Sequence, residues 1–268
     1  MSLPPQVQRT TSAFLSAIDT SAPGLVEGLY LCGSLGFGEY VPGRSDVDFV
    51  TVLSERPDRA AMAALATAHE TVRREHPRPF FDGFHAVRAD LAGPPEHCPD
   101  LPCTRMGTFA EAGRFGVNPV TWHELVRHGV SVRGPALTAS EVHVDDAALR
   151  AFSHGNLSGY WSHLHGELVE SPAEAGEPDA VEWCVLGVSR LHHLLATGSL
   201  TTKSGAGRYA LTAFDPRWHP IVLEALRVRE STGAPSAYDG APERRAGDTI
   251  AFTAMVIEAG LAIGARRN

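Results

Sequence analysis

Cysteine is scarce in this chain: four residues in 268, at Cys32, Cys98, Cys103 and Cys184. So few and so scattered, they do not make a disulfide framework. Cys98 and Cys103 lie close to His97 in EHCPDLPC, but a zinc site usually needs four ligands and no fourth is obvious nearby, so a proline-rich surface loop is the plainer reading. No apolar run approaches the roughly 18 residues of a membrane-spanning helix. The N-terminal stretch lacks the basic start and long apolar core of a signal peptide. A cytoplasmic protein with no membrane partner is therefore expected. Basic charge is also short: 23 Lys and Arg stand against 31 Asp and Glu, a formal net charge of −8. That balance argues against sequence-independent nucleic-acid binding, which rests on phosphate neutralisation by Lys and Arg. It mildly favours a cationic ligand.

What is present has the texture of a globular protein, with no internal repeat. Gln6 to Ile18 reads as a helix. Gly28 to Cys32 is a short apolar strand that ends at a Gly-Ser pair. A glycine-rich loop from Gly36 to Ser45 leads to Asp46-Val-Asp-Phe-Val-Thr-Val-Leu53, β-branched and aromatic, the strongest strand in the chain. An alanine-rich helix follows from Pro57 to Glu75, with proline where a missing N–H costs nothing, and then a strand from Phe80 to Arg88. Ala92 to Pro102 reads as a loop, Thr121 to His128 as a helix, and the residues up to Arg133 as a short strand. Beyond Gly134-Pro135 the pattern turns helical, over Asp145–Glu170, Val181–Ala196, Ile221–Glu230 and Asp248–Gly264. Mixed α and β followed by helices alone predicts two domains, 1–140 and 141–268, with the boundary within 135–145.

The chemistry concentrates between Leu31 and Asp48. Side chains alternate along a strand, so Asp46 and Asp48 share one face while Val47 and Phe49 enter a core on the other. Two carboxylates side by side repel each other unless a cation bridges them. Mg²⁺ prefers oxygen ligands and completes its shell with phosphate and water. Gly33 lets the backbone approach a phosphate closely, and Ser34 adds a hydroxyl and an N–H. These pieces make a cradle for a triphosphate and Mg²⁺. A bare D-x-D is weak by itself; the preceding Gly-Ser, with eleven residues between it and Asp46, sharpens it.

The pattern G-S-x₁₁-D-x-D resembles the signature of the polymerase-β-like nucleotidyltransferase superfamily, which implies an α/β (α+β) nucleotidyltransferase fold with a small mixed β-sheet flanked by helices. Such enzymes use a third carboxylate one helix later, and Asp82 stands there in Phe80-Phe-Asp-Gly-Phe-His-Ala-Val87. Read without that resemblance, Asp82-Gly83 is a turn pair.

Farther on, Ser189-Arg190 on a helix, Thr197-Gly198, and Lys203 thirteen residues beyond the arginine are similar to the helical domain of aminoglycoside adenylyltransferases of the streptomycin- and spectinomycin-modifying type. Arg208-Tyr-Ala-Leu, Trp218 to Leu226, and Val130 to Pro135 continue the likeness, which spans residues 28 to 230. The resemblance implies an all-α helical-bundle C-terminal domain and transfer of AMP from ATP, as co-substrate, to a hydroxyl of an aminoglycoside or similar small molecule. Asp46, Asp48 and Asp82 would hold Mg²⁺ or catalyse, and Gly33, Ser34, Arg190 and Lys203 would hold the nucleotide. The chain departs from the family in carrying Asp82 where Glu is typical, which leaves that residue as either base or metal ligand. It also departs in the segment ahead of Arg190, where Glu174, Glu177, Asp179 and Glu182 could attract a polyamine or form a solvated loop. The acceptor is expected between the domains, with Trp161 and Glu167 among its candidate contacts. Alternatives are the same chemistry on another antibiotic, a metabolite or a protein, or an inactive nucleotide-binding or toxin-neutralising protein of the same fold. His154, His163, His165 and Trp122 read as ordinary helix residues, and His192-His193, beside Arg190, could line the nucleotide pocket without a catalytic role.

Overall fold

The computed structural model describes residues 3–265. The chain divides into two compact units, Met1–Asp145 and Asp146–Asn268.

The first unit is built on six strands: β1 (Val26–Leu31), β2 (Val47–Leu53), β3 (Phe81–Val87), β4 (Leu101–Arg105), β5 (Thr108–Gly113) and β6 (Val130–Arg133). Their order is β5-β4-β3-β2-β1-β6. Only β2 and β3 pair in parallel; the other neighbours are antiparallel. A parallel pair needs a crossover, and helix α2 (Arg59–Glu75) supplies it, capped by Asp58, whose carboxylate accepts the Ala61 N–H at 2.8 Å. Helix α1 (Pro5–Ser21) lies beside α2. Val47, Phe49 and Phe81 enter the core with Phe14, Ile18, Leu65 and Val72 from these helices. Val50, Val52, Phe84 and Ala86 project from the other face into a second core with Trp122 and Leu125 of helix α3 (Pro119–His128). With both faces covered, β2 reads as a continuous apolar run after Asp48.

The hairpin of β4 and β5 lies outside the elements read from the sequence. β5 is a mostly exposed edge strand with little apolar alternation. Its turn is Met106-Gly107, with φ of 51° and 70°, between the paired residues Arg105 and Thr108. Two central residues with positive φ suit the right-handed twist of a hairpin, but the sequence signal for such a turn is Asn-Gly or Asp-Gly. Cys98 and Cys103 are buried in the second core, 6% and 5% exposed, which corrects the surface-loop reading of that segment.

One polar chain crosses the face covered by α1 and α2. The His69 and His85 Nε2 atoms lie 2.8 Å apart, the Thr51 hydroxyl is 2.6 Å from His85 Nδ1, and the Thr104 hydroxyl is 3.3 Å from His69 Nδ1. All four residues are buried, among Phe14, Phe49, Phe81 and Phe109. A nitrogen–nitrogen hydrogen bond needs one donor and one acceptor, so at least the accepting ring is neutral. Burial drives the His69 pKa down from 6.5 to about 3 and holds His85 well below its ordinary value.

The second unit is helical: α4 (Asp146–Asn156), α5 (Ser162–Glu170), α6 (Gly187–Thr197), α7 (Lys203–Ala213), α8 (His219–Glu230) and α9 (Pro242–Ala265), with short turns between. A π-turn at Leu157–Trp161 joins α4 to α5, and another at Glu182–Leu186 runs into α6. Trp161, Val185, Leu186, Val222, Phe252 and Val256 share its core. Helix α7 was not among the predicted elements, because its run of Gly, Ala and Ser has little apolar periodicity. Over Pro242–Ile263, α9 is long and apolar enough to cross a membrane, contrary to the sequence expectation. Its Phe252, Val256 and Ile257 pack in the core of this unit.

The folded-state values of both histidines lie below the unfolded one, so their contribution to stability is complete above pH 6.5 and is lost as pH falls. For His69 the loss runs down toward pH 3, at up to about 1.4 kcal/mol per pH unit. Urea titrations at several pH values measure this, and a His69→Gln/His85→Gln variant is expected to show a flatter dependence.

Candidate active site

Asp46 precedes β2 and is exposed; Asp48, its second residue, is half-buried; Asp82, the second residue of β3, is 5% exposed. The parallel register sets Asp48 opposite Asp82. Both therefore share the sheet face that carries Val50, Val52, Phe84 and Ala86. The Asp46 Oδ1 accepts the Phe80 N–H at 3.3 Å, just before β3. Three carboxylates thus gather where β2 and β3 begin, and Asp82-Gly83 is strand rather than turn.

β1 ends beside them. The Cys32 N–H donates to the Asp48 carbonyl at 3.0 Å. Gly33 follows with φ of 57°, and a Cβ placed on it would stand 2.2 Å from Asp48 Oδ2. Only glycine admits this backbone and this approach together. The Gly33 N–H donates to Glu124 Oε2 of α3 at 3.0 Å. Cys32, 3% exposed, has its thiol pKa raised well above the ordinary range, first by burial and then by the charges of Glu124 and Asp48. Ser34 follows Gly33 in a single helical turn, Gly33–Gly36.

Asp82 is held by the hairpin turn. Met106 N–H donates to its Oδ2 at 2.6 Å and Gly107 N–H to its Oδ1 at 2.9 Å. Its pKa is nonetheless raised: burial outweighs the two N–H donors, and Asp46 adds to the rise while Arg105 opposes it. A carboxylate oxygen can accept more than one hydrogen bond, so each keeps capacity for a proton or a cation.

Asp46 and Asp48 offer oxygens alone, one exposed and one half-buried. This donor set fits Mg²⁺, which is bound through one or two carboxylates together with substrate phosphate rather than in an all-protein cage. Among the described residues no three acidic, histidine or cysteine side chains form a ready-made metal group, the His97–Cys103 segment included.

In the helical unit, Arg190 lies on α6 and Lys203 opens α7. The Lys203 Nζ is 3.0 Å from Glu182 Oε1, and the same oxygen is 3.3 Å from Arg229 Nη1. Glu182 is 4% exposed. This corrects one expectation: Glu182 is a buried ion-pair partner rather than a contact for a polyamine. The Lys203 pKa is lowered by burial, against the pull of Glu182, with Arg229 and Arg190 lowering it further. Trp183 adds a ring 5.0 Å from the ammonium. His192 is buried against Tyr209, its Nδ1 2.8 Å from the hydroxyl, and His163 pairs with Glu167 one turn on.

Sequence reasoning missed Glu124, Arg229 and the bonds that hold Asp82 and Lys203. The sequence carried no signal for Glu124: that Trp122, His123, Glu124 and Leu125 are all buried is seen only in the folded helix.

No family model matches the chain, and no curated protein matches it. Among solved structures it is similar to spectinomycin adenyltransferase AAD(9) from Enterococcus faecialis, crystallised with ATP and spectinomycin. The TM-score is 0.64 over 94% of this chain and 99% of that one, at 13% identity. The chain therefore has the fold of that nucleotidyltransferase.

Gly33→Ala is expected to cost at least about 1–2 kcal/mol in left-handed backbone strain and to displace Asp48. Thermal unfolding measures the first effect and a crystal structure of the variant the second.

Proposed function

We propose that this protein is a Mg²⁺-dependent nucleotidyltransferase that transfers AMP from ATP to a hydroxyl of an aminoglycoside or similar small molecule. The observation that carries the reading is the register of β2 and β3, which sets Asp82 beside Asp48 at the strand ends where Gly33 arrives. The neighbour's bound ATP and spectinomycin support the nucleotide and the type of acceptor. A cytoplasmic location, where ATP is supplied, belongs to the same reading.

Asp46 and Asp48 would hold Mg²⁺, which when bound neutralises the charge of the triphosphate. Gly33 and Ser34 would line the phosphate chain, and Arg190 and Lys203 would meet its negative charge. The acceptor hydroxyl oxygen forms a bond to the α-phosphorus as the bond to the bridging α–β oxygen breaks, and pyrophosphate leaves. The hydroxyl proton goes to a base. Asp82 suits that role: its raised pKa makes the carboxylate a better proton acceptor than an exposed aspartate. The alternative role for Asp82, as a further metal ligand, uses the same oxygens.

A second reading is a nucleotide-binding protein of this fold without turnover. It draws on the two backbone N–H groups that hold Asp82 and on the ion pair that holds Lys203. Pyrophosphate release from ATP and Mg²⁺ across a panel of aminoglycosides separates the two. Acceptor-dependent release is expected; ATP binding without release from any acceptor favours the second reading.

Asp46→Asn and Asp48→Asn are each expected to lower turnover about 100-fold or more, and Asp46→Asn to leave the melting temperature unchanged, because it removes one charge from a repelling group. Near-normal rates in either would refute the metal assignment.

Arg190→Ala is expected to weaken ATP binding by about 1.5–3 kcal/mol, the worth of a charge-assisted contact, and to leave acceptor binding unchanged. Titration calorimetry with a nonhydrolysable ATP analogue reads this directly. Unchanged affinity would remove Arg190 from the nucleotide site.

A further inference from the structure

The loop that carries Gly33 is gripped by α3 at two points. At its start the Gly33 N–H is taken by Glu124 Oε2 at 3.0 Å. At its end the His128 ring lies 4.1 Å from the Phe37 ring, and the His128 carbonyl is so near Gly36 that a Cβ there would stand 2.7 Å from it. α3 is itself a firm support. Asn118 caps it, its side-chain oxygen accepting the Val120 and Thr121 N–H groups at 2.9 and 3.2 Å. Trp122 and Leu125, flanking Glu124, are 0% and 2% exposed, and the Trp122 indole donates to the Gly93 carbonyl at 3.1 Å.

Gly33 must meet two demands at once. Its backbone holds a left-handed φ, and its Cα lies against Asp48 Oδ2. An unfixed glycine visits many backbone states, and each departure from this one would change the space beside a carboxylate assigned to the metal. The Glu124 hydrogen bond removes that freedom at the residue where it matters.

We propose that Glu124 is a positioning residue for nucleotidyl transfer: by holding the Gly33 amide it fixes the phosphate loop against Asp48, and its effect falls on turnover and ATP use rather than on acceptor binding. This rests on the nucleotidyltransferase reading of the site. Glu124 acts through Gly33 and touches neither reacting atom in the argument. What it must supply is an acceptor for one N–H, and a carboxamide oxygen can supply the same.

The experiment compares Glu124→Ala and Glu124→Gln with the unaltered protein. Two readouts are taken: exchange of the Gly33 amide hydrogen by NMR, and steady-state kinetics with ATP and acceptor varied separately. In Glu124→Ala the Gly33 amide is expected to exchange about tenfold faster or more and kcat to fall by a similar factor, with KM for the acceptor within about twofold. In Glu124→Gln both are expected to return to within about threefold of the unaltered protein. Wild-type kcat in Glu124→Ala overturns the proposal. So does a Glu124→Gln protein that keeps Gly33 protected but transfers as poorly as the alanine variant, because charge and not the hydrogen bond would then be the requirement. An unaltered protein that transfers nothing to any acceptor overturns the nucleotidyltransferase reading instead. The exchange rates still decide the clamp, since Gly33 protection that Glu124→Ala leaves unchanged overturns it without reference to activity.

Discussion

Two strands run parallel in an otherwise antiparallel sheet, and the register of that pair organises the first unit. Because β2 and β3 run in the same direction, both begin at the same end of the sheet, and Asp48 and Asp82 stand side by side. An antiparallel partner would have set the start of one strand against the end of the other. The parallel pair also requires a crossover helix. That helix, α2, brings His69 onto the sheet to meet His85, while the Asp48 face is left to α3, and with α3 comes Glu124. The carboxylate group, the buried histidine pair and the grip on the loop all follow from one pairing.

Asp82, Lys203 and Glu182 each have local partners, and those partners bear on their roles. Burial raises the Asp82 pKa, and the two hairpin N–H groups oppose that rise without cancelling it. The same bonds bind the turn at Met106, a non-glycine residue with positive φ, to the middle of the sheet. In the helical unit, Glu182 draws Lys203 and Arg229 to one oxygen. Removing one partner of a buried pair leaves the other charge uncompensated. Lys203 is therefore bound into the stability of its unit as well as into any role with phosphate, whereas Arg190 offers a cleaner probe of that role.

The fold was legible wherever pattern and function coincide. The run Asp46–Leu53 announces a strand with a polar start, and the Gly-Ser pair, separated from it by eleven residues, announces the loop beside it. The helical texture after Pro135 was equally plain. Illegible were the elements whose stability comes from partners distant in sequence. β5 is an exposed edge strand whose turn lacks asparagine or aspartate and is held by Asp82, 24 residues before Met106. α7 has little apolar periodicity, and its first residue is fixed by an ion pair to Glu182, 21 residues away. No window of local pattern contains both halves of either arrangement.

The candidate site divides along the same line. Asp46, Asp48 and Gly33 could be read because their chemistry lies in one short segment. Asp82 needed the order of elements, since by itself it reads as a turn. Glu124 needed the structure. It lies 91 residues from Gly33, and nothing in its own helix names an amide as its partner. A glutamate between Trp122 and Leu125 on a buried face is costly unless something accepts its charge or bonds its oxygens, so its presence there is itself an indication that a donor must arrive from elsewhere. One donor that arrives is the backbone N–H of Gly33, whose left-handed φ and contact with Asp48 call for glycine. The loop's freedom and its restraint are thus encoded in two places in the chain that become neighbours only when α3 packs beneath the sheet.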